Sequence, residues 1–187
     1  MVPKGICHLC GEQKGLTYEH VPARSSYNEQ PAEMFGLESW LRQTPTGEMT
    51  GGELMEQGAG AYTLCYTCNS EISGNHYVGE FRRWTATGMA VIARGFADGT
   101  EGNAVELRID RVYPARILKQ IVVMLASVNS AALLEHHRAL REYGMNPYAT
   151  GLPSRYQSYL LFTHPSSKVA RYAGLSMEHP GLGAAHG

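Results

Sequence analysis

The residues best suited to chemistry in this 187-residue chain are its four cysteines, which occur as two pairs with the same spacing. Cys7 and Cys10 form the first Cys-x2-Cys pair, and Cys65 and Cys68 form the second. Two intervening residues let both thiolates of a pair turn toward one ion, and two pairs complete the tetrahedral ligand set that structural zinc prefers. An iron centre and disulfides are the alternatives, and a reducing compartment disfavours the disulfides. The pattern therefore predicts a structural Zn(Cys)4 site.

Three further polar residues lie close to these cysteine pairs in the sequence. Glu19 and His20 fall near the end of the segment Leu16 to Pro22, whose composition predicts a short strand terminated by proline. Asn69 directly follows the last cysteine, so a metal ion bound by Cys68 also fixes the position of this amide. Each has a plain alternative: His20 is a hydrogen-bonded structural residue, Glu19 is a surface acid, and Asn69 caps a helix.

This order of features resembles the HNH endonuclease superfamily, especially its zinc-stapled ββα-metal members, which include phage recombination endonucleases that cut branched DNA. The segment Glu19 to Pro22 also resembles uncharacterised bacterial HNH-like proteins. The resemblance covers about residues 5–78 and implies a treble-clef-like ββα module in which His20 is the general base. It implies that Glu19 and Asn69 bind a catalytic divalent cation, Mg2+ or Mn2+, and the nearby His76 is a third candidate ligand. The positions that carry the resemblance are Cys7, Cys10, Glu19, His20, Cys65, Cys68 and Asn69.

The residue types also suit the hydrolysis of a phosphodiester bond. An imidazole with a pKa of about 6.5 can take a proton from water at neutral pH, and a cation can neutralise charge on the leaving oxygen. Two protein oxygens are enough for Mg2+, because this ion keeps several waters and binds substrate phosphate. Arg82 and Arg83, in a helix predicted from Asn75 to Thr85, are the expected phosphate-binding residues. These features predict a metal-dependent endonuclease, a hydrolase acting on nucleic acid.

Two non-catalytic functions stay open on the same sequence. Glu19 stands where many HNH proteins have aspartate, and the middle asparagine of their signature is absent between Gln57 and Tyr62. Residues 1–81 carry four Lys/Arg against ten Asp/Glu, a net charge of −6 that repels phosphate. These features favour a zinc-stabilised nucleic-acid-binding or adaptor protein derived from the HNH fold. A purely structural interaction protein is the other alternative.

The rest of the chain predicts an α+β protein with a C-terminal body of helices and a strand. We expect an HNH-like zinc module over residues 1–84 with an insertion at about 23–60, an α+β body over 85–173, and a disordered tail over 174–187. Inside the insertion, apolar spacing predicts a helix and glycine content predicts a mobile segment. The predicted elements are helices at 31–41, 75–85, 114–125 and 131–143, the last capped by Gly144, and strands at 104–109 and 156–162.

Composition excludes several classes of protein. With 43% hydrophobic and 18% charged residues, the chain matches neither a disordered nor a membrane protein. The longest apolar stretches, such as Ile121 to Ala126, are far shorter than the roughly 20 residues that span a bilayer, and no apolar leader follows Met1, so we expect a cytoplasmic protein. Residues 82–187 carry twelve Lys/Arg against seven Asp/Glu, net +5, which can supply phosphate contacts, although polar helix faces produce the same imbalance. The HNH resemblance implies nucleic acid, DNA rather than RNA, as the partner. A homodimer is compatible with this composition.

Overall fold

The structure is a computed structural model that describes residues 2–36, 38–39, 51–97 and 111–158. The described residues form short strands and helices, which confirms the expected α+β class. The chain divides into two units, Met1–Gln157 and Ser158–Gly187, and only Ser158 of the second unit is described. The strand predicted at 104–109, most of that predicted at 156–162 and the tail at 174–187 lie outside the described residues. Within the described part of the chain, no helix is long and apolar enough to span a membrane.

Two small antiparallel sheets make up the β structure. The first has the strand order β1-β2-β5 and the second pairs β3 with β4. The prediction of a strand at residues 16–22 is confirmed, although the strand ends at His20, just before a cis Val21–Pro22 peptide bond. The strands are β1 (Lys4–Ile6), β2 (Gln13–His20), β3 (Ala32–Met34), β4 (Glu53–Met55) and β5 (Gly60–Cys65).

The insertion differs from its prediction. The prediction of a helix at residues 31–41 is wrong for its first part, because Ala32–Met34 forms strand β3 and pairs with β4. The cross-strand backbone hydrogen bonds of this hairpin outweigh an apolar spacing that matched a helix only at a few positions. Residues 40–50 of the insertion lie outside the described residues. The glycine-rich part contains β4, and Gly58, at a φ of +97°, lies so close to the Asn28 backbone that a side chain would collide with it.

The second cysteine pair opens a series of helices. A π-helical segment, Thr67–Gly74, begins between Cys65 and Cys68, and four α-helices follow it. The helices predicted from residues 75 and 114 are confirmed, and the first of them extends well beyond residue 85. The α-helices are α1 (Val78–Ala97), α2 (Pro114–Val128), α3 (Ala132–His136) and α4 (Arg138–Met145).

The helix predicted at residues 131–143 is two helices. The backbone leaves the helical region at His137, whose ring is buried and lies 3.0 Å from the hydroxyl of Tyr156. The prediction that Gly144 caps the helix is wrong, because Gly144 lies inside α4. A methyl group there would come within 3.0 Å of Val122, so the glycine permits close packing of α4 on α2.

One hydrophobic core holds these elements together. It joins buried residues of the sheet and both cysteine pairs to residues of α2, α3 and α4, so it contains positions on both sides of residue 84. The cysteine side chains themselves form part of this core. Its buried members are Cys7, Leu9, Cys10, Leu16, Leu64, Cys65, Cys68, Tyr77, Val122, Val123, Ala126, Leu134, Leu140 and Tyr143.

A buried lysine forms hydrogen bonds with the backbone just after α4. Lys119 of α2 is fully buried, and its ammonium group donates hydrogen bonds to the carbonyl oxygens of Asn146, Pro147 and Ala149 at 2.6, 3.0 and 2.5 Å. The charge also lies 5.1 Å from the ring centre of Tyr143. All three ammonium donors therefore have partners, which is what permits a charged group in the core.

Candidate metal centre and polar pocket

The four cysteines meet in one buried group, which we call the cysteine cluster (Cys7, Cys10, Cys65 and Cys68). Their sulfur atoms all lie within 4.8 Å of one another, and the sulfurs of Cys10 and Cys65 are 4.0 Å apart. A tetrahedral zinc ion with Zn–S bonds of about 2.3 Å separates its sulfurs by about 3.8 Å. All four cysteines are free thiols. The cysteine cluster is therefore positioned to hold a metal ion and is compatible with structural zinc.

Turns in the backbone bring the two pairs together. The first pair lies in the connection between β1 and β2, where Gly11 takes a φ of +77° and its N–H donates to the carbonyl of Cys7 at 2.8 Å. The second pair lies where β5 passes into the π-helical segment. The N–H of Cys65 donates to the sulfur of Cys7 at 3.3 Å, so the two turns are in direct contact. The antiparallel pairing of β2 with β5 thus closes the long loop between the pairs.

The pKa values of the thiols in the cysteine cluster are shifted in opposite directions. A hydrogen bond with Cys68 lowers the pKa of Cys7 to about 4, whereas burial raises the pKa of Cys10 to about 11. The hydrogen bond with Cys7, followed by burial, raises the pKa of Cys68. A metal ion bound by all four sulfurs would require four thiolates, and its positive charge would compensate this buried negative charge. The donor set therefore fits a thiophilic metal ion.

A second site, the polar pocket, lies at the end of β2. It encloses about 290 Å³, and among its lining residues are Glu19, His20 and Asn69, three of the residues singled out from the sequence. Glu19 and His20 are adjacent on β2, while Asn69 comes from the π-helical segment. The lining residues of the polar pocket are Tyr18, Glu19, His20, Ala23, Arg24, Ser25, Glu29, Asn69 and Val78.

Glu19 is a buried acid whose carboxylate has no partner among the described residues. Its side chain is 5% exposed, and its carboxylate forms no hydrogen bond or ion pair with any described residue. Burial raises the pKa of Glu19 to about 7. Buried carboxylates are ordinarily paired or hydrogen-bonded, because the cost of removing the charge from water is otherwise uncompensated. A divalent cation in the polar pocket would supply the missing compensation.

His20 is oriented by the backbone of the insertion. Its Nε2 lies 3.1 Å from the carbonyl oxygen of Gln57, and since a carbonyl only accepts, Nε2 carries the proton. The ring also packs edge-on against Tyr18 at 4.9 Å between ring centres. No hydrogen bond to a described residue engages Nδ1, so in the neutral ring this nitrogen is a proton acceptor.

The side-chain amide of Asn69 is oriented by hydrogen bonds to β2. Its Nδ2 donates to the hydroxyl of Thr17 at 3.0 Å and to the carbonyl of Tyr18 at 3.1 Å. Both donor hydrogens are therefore used on the β2 strand, and the amide oxygen has no described partner. An amide oxygen fixed in this way suits a hard cation.

Asn28 is a structural residue that the sequence analysis missed. Its buried side chain donates to the carbonyls of Pro22 and Ala59 at 2.7 Å each, and its oxygen accepts from the N–H of Ala59 at 2.9 Å. These bonds join the chain after β2 to the chain before β5, next to the carbonyl that orients His20. The segment from Gln57 to Tyr62 contains no asparagine. The side-chain amide that bonds to the backbone of this segment comes from Asn28, near the start of the insertion. Its only sequence signal was a polar residue in a loop.

Three predicted site residues do not line the polar pocket. His76 lies near Tyr148, with 6.4 Å between the ring centres. Arg83 forms an ion pair with Glu80 and donates to the carbonyl of Arg111 at 2.6 Å. Arg82 is exposed on the same helix and is also absent from the lining. Their predicted roles in metal or phosphate binding thus have no geometric support from the pocket itself.

Comparisons with known proteins found no match among family models, curated proteins or solved structures. The function therefore has to be inferred from the geometry of the cysteine cluster and the polar pocket.

Proposed function

We propose that this protein is a metal-dependent endonuclease of the HNH type, with structural zinc in the cysteine cluster and a catalytic Mg2+ or Mn2+ in the polar pocket. The N-terminal part would then be a treble-clef-like ββα module, built from β2, β5 and the helical segment that follows the second cysteine pair. The partner would be DNA.

One observation carries the proposal, namely the shared lining of the polar pocket by Glu19, His20 and Asn69. The acid is buried and has no partner among the described residues, the imidazole offers a proton-accepting nitrogen, and the amide offers an oxygen that no described group engages. A carboxylate, a base and an amide oxygen in one pocket are the groups that metal-assisted hydrolysis needs. Zinc in the cysteine cluster would hold Asn69 in place, because this residue directly follows Cys68.

The reaction is the attack of water on phosphorus with cleavage of the P–O3′ bond. Nδ1 of His20 accepts a proton from the attacking water while Nε2 remains bonded to the Gln57 carbonyl. Glu19 and Asn69 would hold the divalent cation, which when bound supplies positive charge that stabilises the departing 3′ oxygen. The leaving oxygen takes its proton from solvent.

Cleavage of supercoiled plasmid tests the proposal. We expect the zinc-loaded protein to nick plasmid with Mg2+ or Mn2+ and to be inactive in EDTA. His20→Ala should lower the rate by roughly 100- to 10,000-fold, the usual contribution of a general base, with unchanged zinc content and circular dichroism. His136→Ala is the matched control, because His136 is exposed and is not in the lining of the polar pocket.

Cleavage by His20→Ala at the parental rate would contradict the assignment of the base. A parent protein that shifts DNA on a gel in EDTA but never cuts it would identify the non-catalytic nucleic-acid-binding protein instead. A parent that neither binds nor cuts DNA would remove both.

A further inference from the structure

The geometry points to Arg24 as the residue that binds the substrate phosphate, in place of Arg82 and Arg83. This inference rests on the proposed function and adds to it a phosphodiester-binding group in the polar pocket. Ser25 lies beside Arg24 and also lines the pocket.

Among the residues that the structure describes, Arg24 is the only lysine or arginine that lines the polar pocket. Its side chain is exposed and makes no hydrogen bond or ion pair with a described residue. The other charged side chains in the lining are the acids Glu19 and Glu29. Before a cation binds, Arg24 is the only described positive charge facing these two acids, and without it the lining of the pocket would repel a phosphate.

The turn that carries Arg24 is anchored on two sides. The N–H of Ser26 donates to the carbonyl of Ala23 at 2.8 Å, and the buried Ser26 hydroxyl accepts from Thr85 of α1 at 3.3 Å. On the other side, the amide bridge of Asn28 ties the turn to the chain before β5. Arg24 is thus a cation with no described partner on a fixed backbone, and the fixed backbone lowers the entropic cost of binding a ligand.

The arginines predicted from the sequence are poorer candidates. Arg83 is engaged by Glu80 and by the Arg111 carbonyl, and its guanidinium lies 5.8 Å from the ring centre of Tyr113. Arg82 is not in the lining of the pocket. The planar guanidinium of Arg24 can donate two parallel hydrogen bonds to the non-bridging oxygens of one phosphodiester.

A titration that does not depend on cleavage tests this inference. The zinc-loaded protein, with Ca2+ in place of Mg2+ to hold off hydrolysis, is titrated with the dinucleotide thymidylyl-thymidine while the arginine Nε–H resonances are followed by 15N NMR. We expect the Arg24 resonance to move and those of Arg82 and Arg83 to stay. Arg24→Ala should weaken dinucleotide binding by roughly 10- to 100-fold, the range for a hydrogen-bonded charged pair.

Activity and salt dependence give a second readout. Arg24→Ala should lower kcat/KM for plasmid and reduce the slope of log affinity against log salt by about 0.9, as expected for one lost phosphate contact. Arg24→Lys should recover only part of the loss, because an ammonium group lacks the two-pronged geometry. Arg82→Ala, on the neighbouring helix, is the control and should match the parent.

An Arg24 resonance that stays still up to millimolar dinucleotide, or a shift confined to Arg82 or Arg83, would overturn the inference whether or not the protein cuts DNA. A moving Arg24 resonance in a protein that never nicks plasmid would leave the phosphate site standing and would refute the proposed nuclease activity alone.

Discussion

Replacement of Glu19 by glutamine tests whether this buried acid is kept for a cation. The Glu19 side chain is 5% exposed, has no described partner, and has its pKa raised by burial to about 7. Glutamine has almost the same shape but no charge. Glu19→Gln therefore removes the cost of burying a carboxylate while it preserves the packing around β2.

The size of the effect follows from the pKa. A carboxyl group with a pKa of about 7 in the folded chain and 4.5 in the unfolded chain binds more protons when folded. Its contribution to the free energy of unfolding is full below pH 4.5 and is lost as the pH rises through 7. Between pH 6 and pH 8 the linkage relation gives a loss of about 1 kcal/mol for the parent and none for the glutamine variant.

Urea unfolding of the zinc-loaded proteins at pH 6 and pH 8 measures this difference. We expect the stability of Glu19→Gln relative to the parent to increase by about 1 kcal/mol between the two pH values. Mn2+ at pH 8 should stabilise the parent and leave Glu19→Gln unchanged, because a cation that binds the carboxylate compensates its burial. The same pH dependence in both proteins, or equal stabilisation of both by Mn2+, would refute the account of Glu19.

Three other substitutions test the framework of the site. Cys68→Ser should remove metal binding and unfold the chain at room temperature, as seen by circular dichroism, because structural zinc contributes about 10 kcal/mol or more to folding; a folded variant with full zinc content would contradict this. Asn28→Ala deletes three hydrogen bonds and should lower the free energy of unfolding by about 2–4 kcal/mol in urea titrations, with a larger loss of plasmid cleavage than the stability change explains. Lys119→Met removes the donor that three carbonyl oxygens share and should lower the free energy of unfolding by about 1–3 kcal/mol in thermal or urea unfolding, so a variant as stable as the parent would refute the role of the ammonium group.

The cysteine cluster is the part of the site that the sequence predicted best. A Cys-x2-Cys spacing is a local signal, because the short turn between the two cysteines brings both sulfurs to the same side, where they can bind one ion. The convergence of Glu19, His20 and Asn69 on one pocket could also be anticipated, since the second cysteine pair ties Asn69 to the strand that bears the other two. Their chemical roles remain proposals.

The remaining features depend on contacts between distant segments, which local patterns do not contain. The break at His137 and the hairpin of β3 and β4 arise from tertiary hydrogen bonds that override helical spacing. Asn28 acts through backbone groups about thirty residues away, so nothing in its neighbourhood signals the bridge. Arg24 also lies in no motif, and the proposal that it binds phosphate rests on its place in the pocket lining.

Metal analysis of the protein purified without added metal tests the central claim most directly, namely that four thiolates hold one zinc ion and so fix the polar pocket beside it. We expect about one zinc per chain, lost together with the folded structure when a strong chelator is added. A folded protein that contains no zinc, or whose four cysteines form disulfides, would contradict it.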